Sequence, residues 1–182
     1  MHRTRLIALA APLAVAAAIA LAPAAAGAHA ATAPTALVSA AHQRSVLAVP
    51  KFIFHAGLAF GAFHHFIYEP FKAGKFTSGS FFSKLKNYVE AGAAALFVYH
   101  ETKLALADAQ QNKVLKVLVS PLTAVVALFN TVLSKVKGHS LDAATIGTAE
   151  SQVSSIESQA QTSGSTVSEA IPSAKQLLAG SA

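Results

Sequence analysis

Histidine is the residue type in this 182-residue sequence best suited to chemistry, and there are eight of them. Cysteine is absent, which removes thiol nucleophiles, thiolate metal sites and disulfides together. His55, His64 and His65 fall in one apolar run, Lys51–Glu69 (KFIFHAGLAFGAFHHFIYE), and His100 lies in a second apolar stretch. His65 and Glu69 are one helical turn apart and supply half of a metal site. His100 with Glu101 completes it only if folding brings the two pairs together. A His55/His100 pair ligating haem is the other arrangement considered, with no CxxCH for covalent attachment. There is no HExxH, no G-x-S-x-G elbow and no glycine-rich phosphate loop after a strand. The weak metal candidates are therefore His55, His64, His65, Glu69 and His100. Against them stands the expectation of histidines bonded to backbone groups or to Tyr88 and Tyr99. On that expectation the chain has no catalytic residue, bound metal or cofactor.

The elements that must position these residues are all helical. Phe52–Tyr68 is apolar apart from its histidines, lacks β-alternation and is long enough for a helix. Phe54, Leu58, Gly61, His65 and Tyr68 share one face, while Phe52, Ala56, Ala59, Phe63 and Phe66 populate much of the rest. A helix apolar nearly all round is buried in a bundle or in a membrane. Glu69-Pro70 is expected to end it. A polar, glycine-bearing connection follows, with Phe71, Phe76, Phe81 and Phe82 expected to fold back onto the bundle. Ser80 or Ser83 caps a second helix, from about Lys84 to Ala109, on which Val89, Ala93, Leu96, His100, Lys103 and Ala107 share a side. A third helix, Lys113–Lys137, carries a seam of Leu115, Leu118, Leu122, Val125, Phe129, Val132 and Val136, with Asn112 as its cap. Pro121 kinks or restarts it, and Gly138 suits a left-handed stop. A fourth helix opens at Ser140 and buries Ile146, Ala149, Val153, Ile156 and Ala160. Thr166 with Glu169 resembles a capping box for a last short helix, restarted at Pro172.

Gly57-x-x-x-Gly61 lets a neighbour approach the first helix closely. If the first two helices form an antiparallel hairpin, the loop length sets Gly61 opposite Gly92 and His55 level with His100.

Residues 1–30 have the form of a cleavable signal peptide. His2, Arg3 and Arg5 make a positive start, Leu6–Leu21 is an apolar run, and Ala28-His29-Ala30 is a small-x-small cleavage site. The organisation expected after it is a spacer at 31–45, an apolar basic helical core at 46–138 and an amphipathic polar region at 139–182. About 150 residues suffice for one domain with a real core. Charge is uneven. Ala41–Gly138 carries 11 basic residues against four acids, whereas His139 onward carries Lys175 against four acids. A basic apolar hairpin favours an anionic envelope or lipid surface, or a protein partner. Nucleic acid is not expected, because arginine clusters and a recognisable binding module are missing.

The stretches FHAGLAFGAFHHFIYEPFKAGKF (Phe54–Phe76) and GAAALFVYHETKLALADA (Gly92–Ala109) resemble small secreted helical proteins of unknown function from high-GC actinobacteria. The resemblance implies export and a helical hairpin, and brings no activity, ligand or site residue with it. The leading expectation is an all-α, exported, non-enzymatic helical bundle of about four main helices plus a short C-terminal one, acting in the cell envelope or outside the cell by binding a partner or surface. One alternative is a binder of an apolar ligand, lipid or haem. Another is a membrane-embedded helical protein, since Phe52–Tyr68 and Val117–Leu133 are each 17 residues, the lower edge of the ~17–25 that span a bilayer.

Overall fold

The structure is a computed structural model that describes residues 33–179, with side chains from Val46 onward. Residues 1–30, expected to be a signal peptide, lie outside the described residues. The described residues are helical, with no strand among them. Helix α1 spans Ala33–Phe63, so the 31–45 segment is helical from Ala33. A π turn, His64–Tyr68, joins α1 to the short α2, Glu69–Lys72. Then come α3 at Phe81–Gln110, a 3-10 turn at Leu115–Leu118, α4 at Val119–Lys137, α5 at Ala143–Thr162 and α6 at Ala174–Ala179. The short connections make neighbours of successive helices: α1 packs on α3, α3 on α4, and α4 on α5.

The core follows the periodicities. Every residue of the α4 seam is buried, as is every one of the five α5 positions. In α1, Ala56 to Phe63 is buried without a break, which is what an all-round apolar helix requires. Phe52, Phe60 and Phe63 are fully enclosed, each stabilising by roughly 1.5–3 kcal/mol. Phe63 meets Phe129 of α4 with ring centroids 5.3 Å apart. Alanines 91, 94, 95, 105 and 109 form the inner face of α3 and let its neighbours approach closely. The Val89–Ala107 face of α3 is the outer one: Val89, His100, Lys103 and Ala107 are exposed. Two helices, Val46–Lys72 and Leu115–Lys137, are long and apolar enough to cross a membrane by length and composition. The first is largely buried within the bundle. The second turns Thr123, Asn130, Thr131 and Ser134 outward.

Several boundaries differ from expectation for local reasons. Pro70 does not end the helical path. The Glu69 N–H donates to the His64 carbonyl across the wider π turn, and that widening relieves the clash a proline makes with the carbonyl four residues back. Pro121 sits in the first turn of α4, where its missing N–H costs nothing. Gly138 keeps a negative φ, and His139 takes the left-handed conformation instead, at φ 52°. Its neighbour's amide, Ser140 N–H, reaches back to Lys135 O at 2.8 Å, so the helix stop sits one residue later than the glycine. Asp142, not Ser140, caps α5, accepting from Thr145 N–H at 2.8 Å. Ser80 caps α3, accepting from Ser83 N–H at 3.3 Å.

Gly61 and Gly92 do not face each other. Gly92 faces Val136 of α4, 3.8 Å from where its Cβ would be. Gly61 faces the chain's own C-terminal segment. Residues 164–173, which are not helical, lie across the Gly57–Gly61 step. A Cβ on Gly61 would sit 2.4 Å from Ala170 O, and one on Gly57 2.3 Å from Ser168 O. Ala170 N–H donates to Gly57 O at 3.0 Å. The close approach predicted from this motif exists, with an extended strap instead of a helix. The Thr166/Glu169 capping box is absent, because Glu169 is engaged elsewhere.

Candidate functional site

Three places gather polar or exposed chemistry, and each is built by a different pair of elements. The first lies at the π turn. The wide turn projects His64 toward α5 and the strap, where its ring is held between two carboxylates. Nδ1–H donates to Glu169 and Nε2–H to Glu150, both at 2.5 Å. Glu150 and Glu157 are seven residues apart on α5, two turns along one face. Burial alone would lower the His64 pKa. The hydrogen bonds and charges of Glu150 and Glu169 outweigh that and hold it above its ordinary 6.5. Burial, then the charge of Glu169 and a hydrogen bond with it, push Glu157 up to about 7. An imidazolium held between the Glu150 and Glu169 carboxylates, with Glu157 keeping its proton up to near neutrality beside them, forms a clasp. It ties α5 and the strap to the end of α1. Both ring nitrogens are donors here, so His64 presents no lone pair to a metal or a substrate proton. The cleft beside it is about 580 Å³, lined by Tyr68, Lys72 and the clasp.

The second place is the α1–α3 seam. His55 Nδ1 lies 2.6 Å from Glu101 Oε2, while Nε2 is 3.9 Å from Asp108 Oδ2, beyond hydrogen-bond reach. Asp108 Oδ2 is buried with no hydrogen-bond partner. Its burial pushes the Asp108 carboxyl up against the pull of His55 and Lys51. Lys51 and His55 are four apart on α1, and Glu101 and Asp108 seven apart on α3, so two buried carboxyl groups face His55 in an apolar seam with exposed Lys51 at its edge.

The five sequence candidates do not assemble. His65 faces Glu69 at 3.9 Å on the surface, His100 is exposed on the outside of α3, and His55 and His64 each take carboxylate partners. Among the described residues no three ligating side chains are grouped to hold a metal ion. The expected backbone or tyrosine partners are also replaced. Carboxylates hold His55 and His64, and Tyr88 stacks instead on His139, with ring centroids 4.5 Å apart. Glu150, Glu157 and Glu169 were not among the candidates. The seven-residue spacing of the first two is the signal that marks them. Nothing in the sequence places Glu169 beside His64.

The third place was expected to be buried. Phe76 does fold back, onto Tyr88 at 4.9 Å, but Phe81 and Phe82 at the start of α3 stand 71% and 79% exposed. Leu85 and Val89 continue the same side of α3 and are also exposed. Lys84 is half-buried and shares a cleft with Phe81, Lys86 is exposed one turn beyond Phe82, and Lys72 and Lys75 are exposed on the segment that precedes α3. Lys86 reaches Glu90 at 3.7 Å, and Lys72 lies over the Tyr68 ring at 5.2 Å. Lys137 and His139, at the end of α4, lie at this end too, since His139 packs on Tyr88. The arrangement is an apolar tip with a cationic rim. It offers no reacting group, but it can insert aromatic rings into a soft surface while ammonium groups meet anions there.

No family model, curated protein or solved structure matches this chain, so its function rests on what its own side chains can do.

Proposed function

We propose that the chain is exported and works without catalysing a reaction, by docking an anionic envelope surface against the Phe81–Phe82 end of its helical bundle. The carrying observation is the adjacent pair of exposed phenylalanines, with Lys84 beside Phe81 and exposed Lys86 one turn beyond Phe82 on α3. A soluble domain seldom leaves two neighbouring aromatic rings in water without a use for them. Each lysine near an anionic lipid surface contributes about 1 kcal/mol, and buried aromatic area adds to that. Export is supported by the positive start, apolar run and small-x-small site of residues 1–30. Docking on a surface accounts for the outward Thr123, Asn130 and Thr131 of α4 better than spanning a bilayer does.

The test is sedimentation of the processed protein with vesicles. It should bind phosphatidylglycerol vesicles, release in high salt, and ignore phosphatidylcholine vesicles. Lys84→Glu with Lys86→Glu, and separately Phe81→Ser with Phe82→Ser, should each weaken binding tenfold or more. Equal binding to neutral vesicles, or unchanged binding by both double variants, sinks the reading.

A further inference from the structure

Two clefts meet on the outer seam between the π turn and α3, and they share Phe66 and Glu90. One, of about 380 Å³, is polar: His65, Glu69, Lys75, Asn87 and Glu90 line it. The other, of about 320 Å³, is apolar: Phe66, Val89 and Ala93 face Ala174, Leu177 and Leu178 of α6. Each is at the lower end of the ~300–1,000 Å³ typical of small-molecule sites. End to end they form a groove that changes character at Phe66. Its occupant must therefore be polar at the loop end and apolar at the α6 end.

We propose that this groove binds a single-chain phospholipid, with its phosphate at Lys75 and its alkyl chain over Ala93 and Leu177. The head chemistry follows from the charges present. Lys75 is in no ion pair among the described residues, and Asn87 Nδ2–H holds the Lys75 carbonyl at 2.7 Å, fixing the loop that carries the ammonium. His65 adds a second donor. Glu69 and Glu90 lie in the same cleft, and a bare carboxylate head would bring only repulsion to them. A head that combines a phosphate with a hydroxyl or ammonium donor satisfies both signs at once. The apolar half is closed on one side by α6, whose Leu177 is buried against the bundle while Leu178 stays exposed at the rim. The π turn creates the groove's midpoint. It turns the half-buried Phe66 into the seam and stacks it edge-on against exposed His65, at 4.7 Å and 88°.

This site goes beyond surface docking and does not depend on it, because a lysophospholipid below its micellar concentration presents no surface. Calorimetry with lysophosphatidylethanolamine is the direct test. We expect one-to-one binding, at least tenfold weaker binding of a fatty acid of the same chain length, and none of glycerophosphoethanolamine alone. Ala93→Phe fills the apolar half and should weaken binding tenfold or more. Leu178→Gln, at an exposed position, reads the same contact should the larger side chain upset folding. Lys75→Gln should weaken the lysophospholipid more than the fatty acid. Phe81→Ser with Phe82→Ser, which line neither cleft, should leave this binding unchanged while weakening vesicle docking, so the two readings fail separately. No binding of the lysophospholipid, equal binding of the fatty acid, or wild-type affinity in both the Ala93→Phe and Leu178→Gln variants overturns the site.

Discussion

His64 is held between two carboxylates, and its pH behaviour follows from that. Its pKa is raised in the folded state, so its contribution to stability is fully present below about 6.5 and is lost as pH rises through the folded value. Glu157 acts in the same direction. Its carboxyl is raised from 4.5 to about 7, so the fold keeps a proton there that the unfolded chain releases earlier, and the penalty for ionising it accumulates between those values. Strap docking should therefore loosen as pH rises from 4.5 to about 7, where the Glu157 penalty accumulates, and further above 6.5 as His64 gives up its proton. Amide hydrogen exchange at Ala170 should accelerate over that range beyond the ordinary base-catalysed rise. Glu157→Gln, which stays neutral, should flatten the effect, and an exchange rate with no such excess would remove the clasp from the account. Asp142 has the opposite sign. The Lys135 hydrogen bond, joined by the Thr145 N–H, holds it down to about 2, so its contribution is present above 3.8 and is lost as pH falls through 2. Asp142→Ala should lower the melting temperature at pH 6 and have a smaller effect near pH 2, where much of the folded protein has lost the charge.

Between elements, the environments of buried Gly61 and half-buried Gly92 make opposite predictions from the same substitution. Gly61→Ala places a methyl 2.4 Å from Ala170 O, where backbone cannot yield without the strap moving. Overpacking of this kind typically costs about 1–3 kcal/mol. It exceeds the roughly 1 kcal/mol of helix propensity gained. Gly61→Ala should lower the melting temperature and speed exchange at Ala170. Gly92→Ala meets only Val136 Cγ1 at 3.8 Å, an ordinary contact. It should raise stability by up to about 1 kcal/mol. Thermal denaturation of the two variants decides the matter. If Gly92→Ala proved the more damaging, the helix-on-helix contact would be the real one and the strap contact spurious.

For the whole molecule, the charge distribution and the bundle's ends belong to one arrangement. Lys72, Lys75, Lys84 and Lys86 lie at or near the connection between α1 and α3, whereas Glu150, Glu157 and Glu169 gather around His64. Folding thus neutralises part of the acidic C-terminal region and leaves the basic tip exposed. Association with anionic vesicles should fall steeply between 0.05 and about 0.5 M salt, as the screening length shrinks from more than ~10 Å toward a few. Binding insensitive to salt would shift the weight to the phenylalanines alone. N-terminal sequencing of the exported protein should begin near Ala31, and a mature chain starting at Met1 would refute processing at Ala28-His29-Ala30.

The helical class, the α4 seam and the buried row of α5 were legible because they depend on local periodicity. Leu115 to Val136 and Ile146 to Ala160 repeat at three and four residues, and apolar area buries itself wherever that stripe meets another. The level of the hairpin was legible as well: His55 finds Glu101, one residue from the His100 expected from loop length. Rotation about the helix axes was not legible. Gly57 and Gly61 announced a close approach, yet only the tertiary structure decided that a strap fills it, because a glycine face accepts any backbone that reaches it. The same limit applies to His64, whose partners lie 86 and 105 residues away, and to Phe81 and Phe82, whose side chains resemble those of buried Phe76. Local pattern determines which residues prefer to leave water. Which of them finds room in the core depends on how many helices arrive at that end of the bundle, a property of the assembled whole.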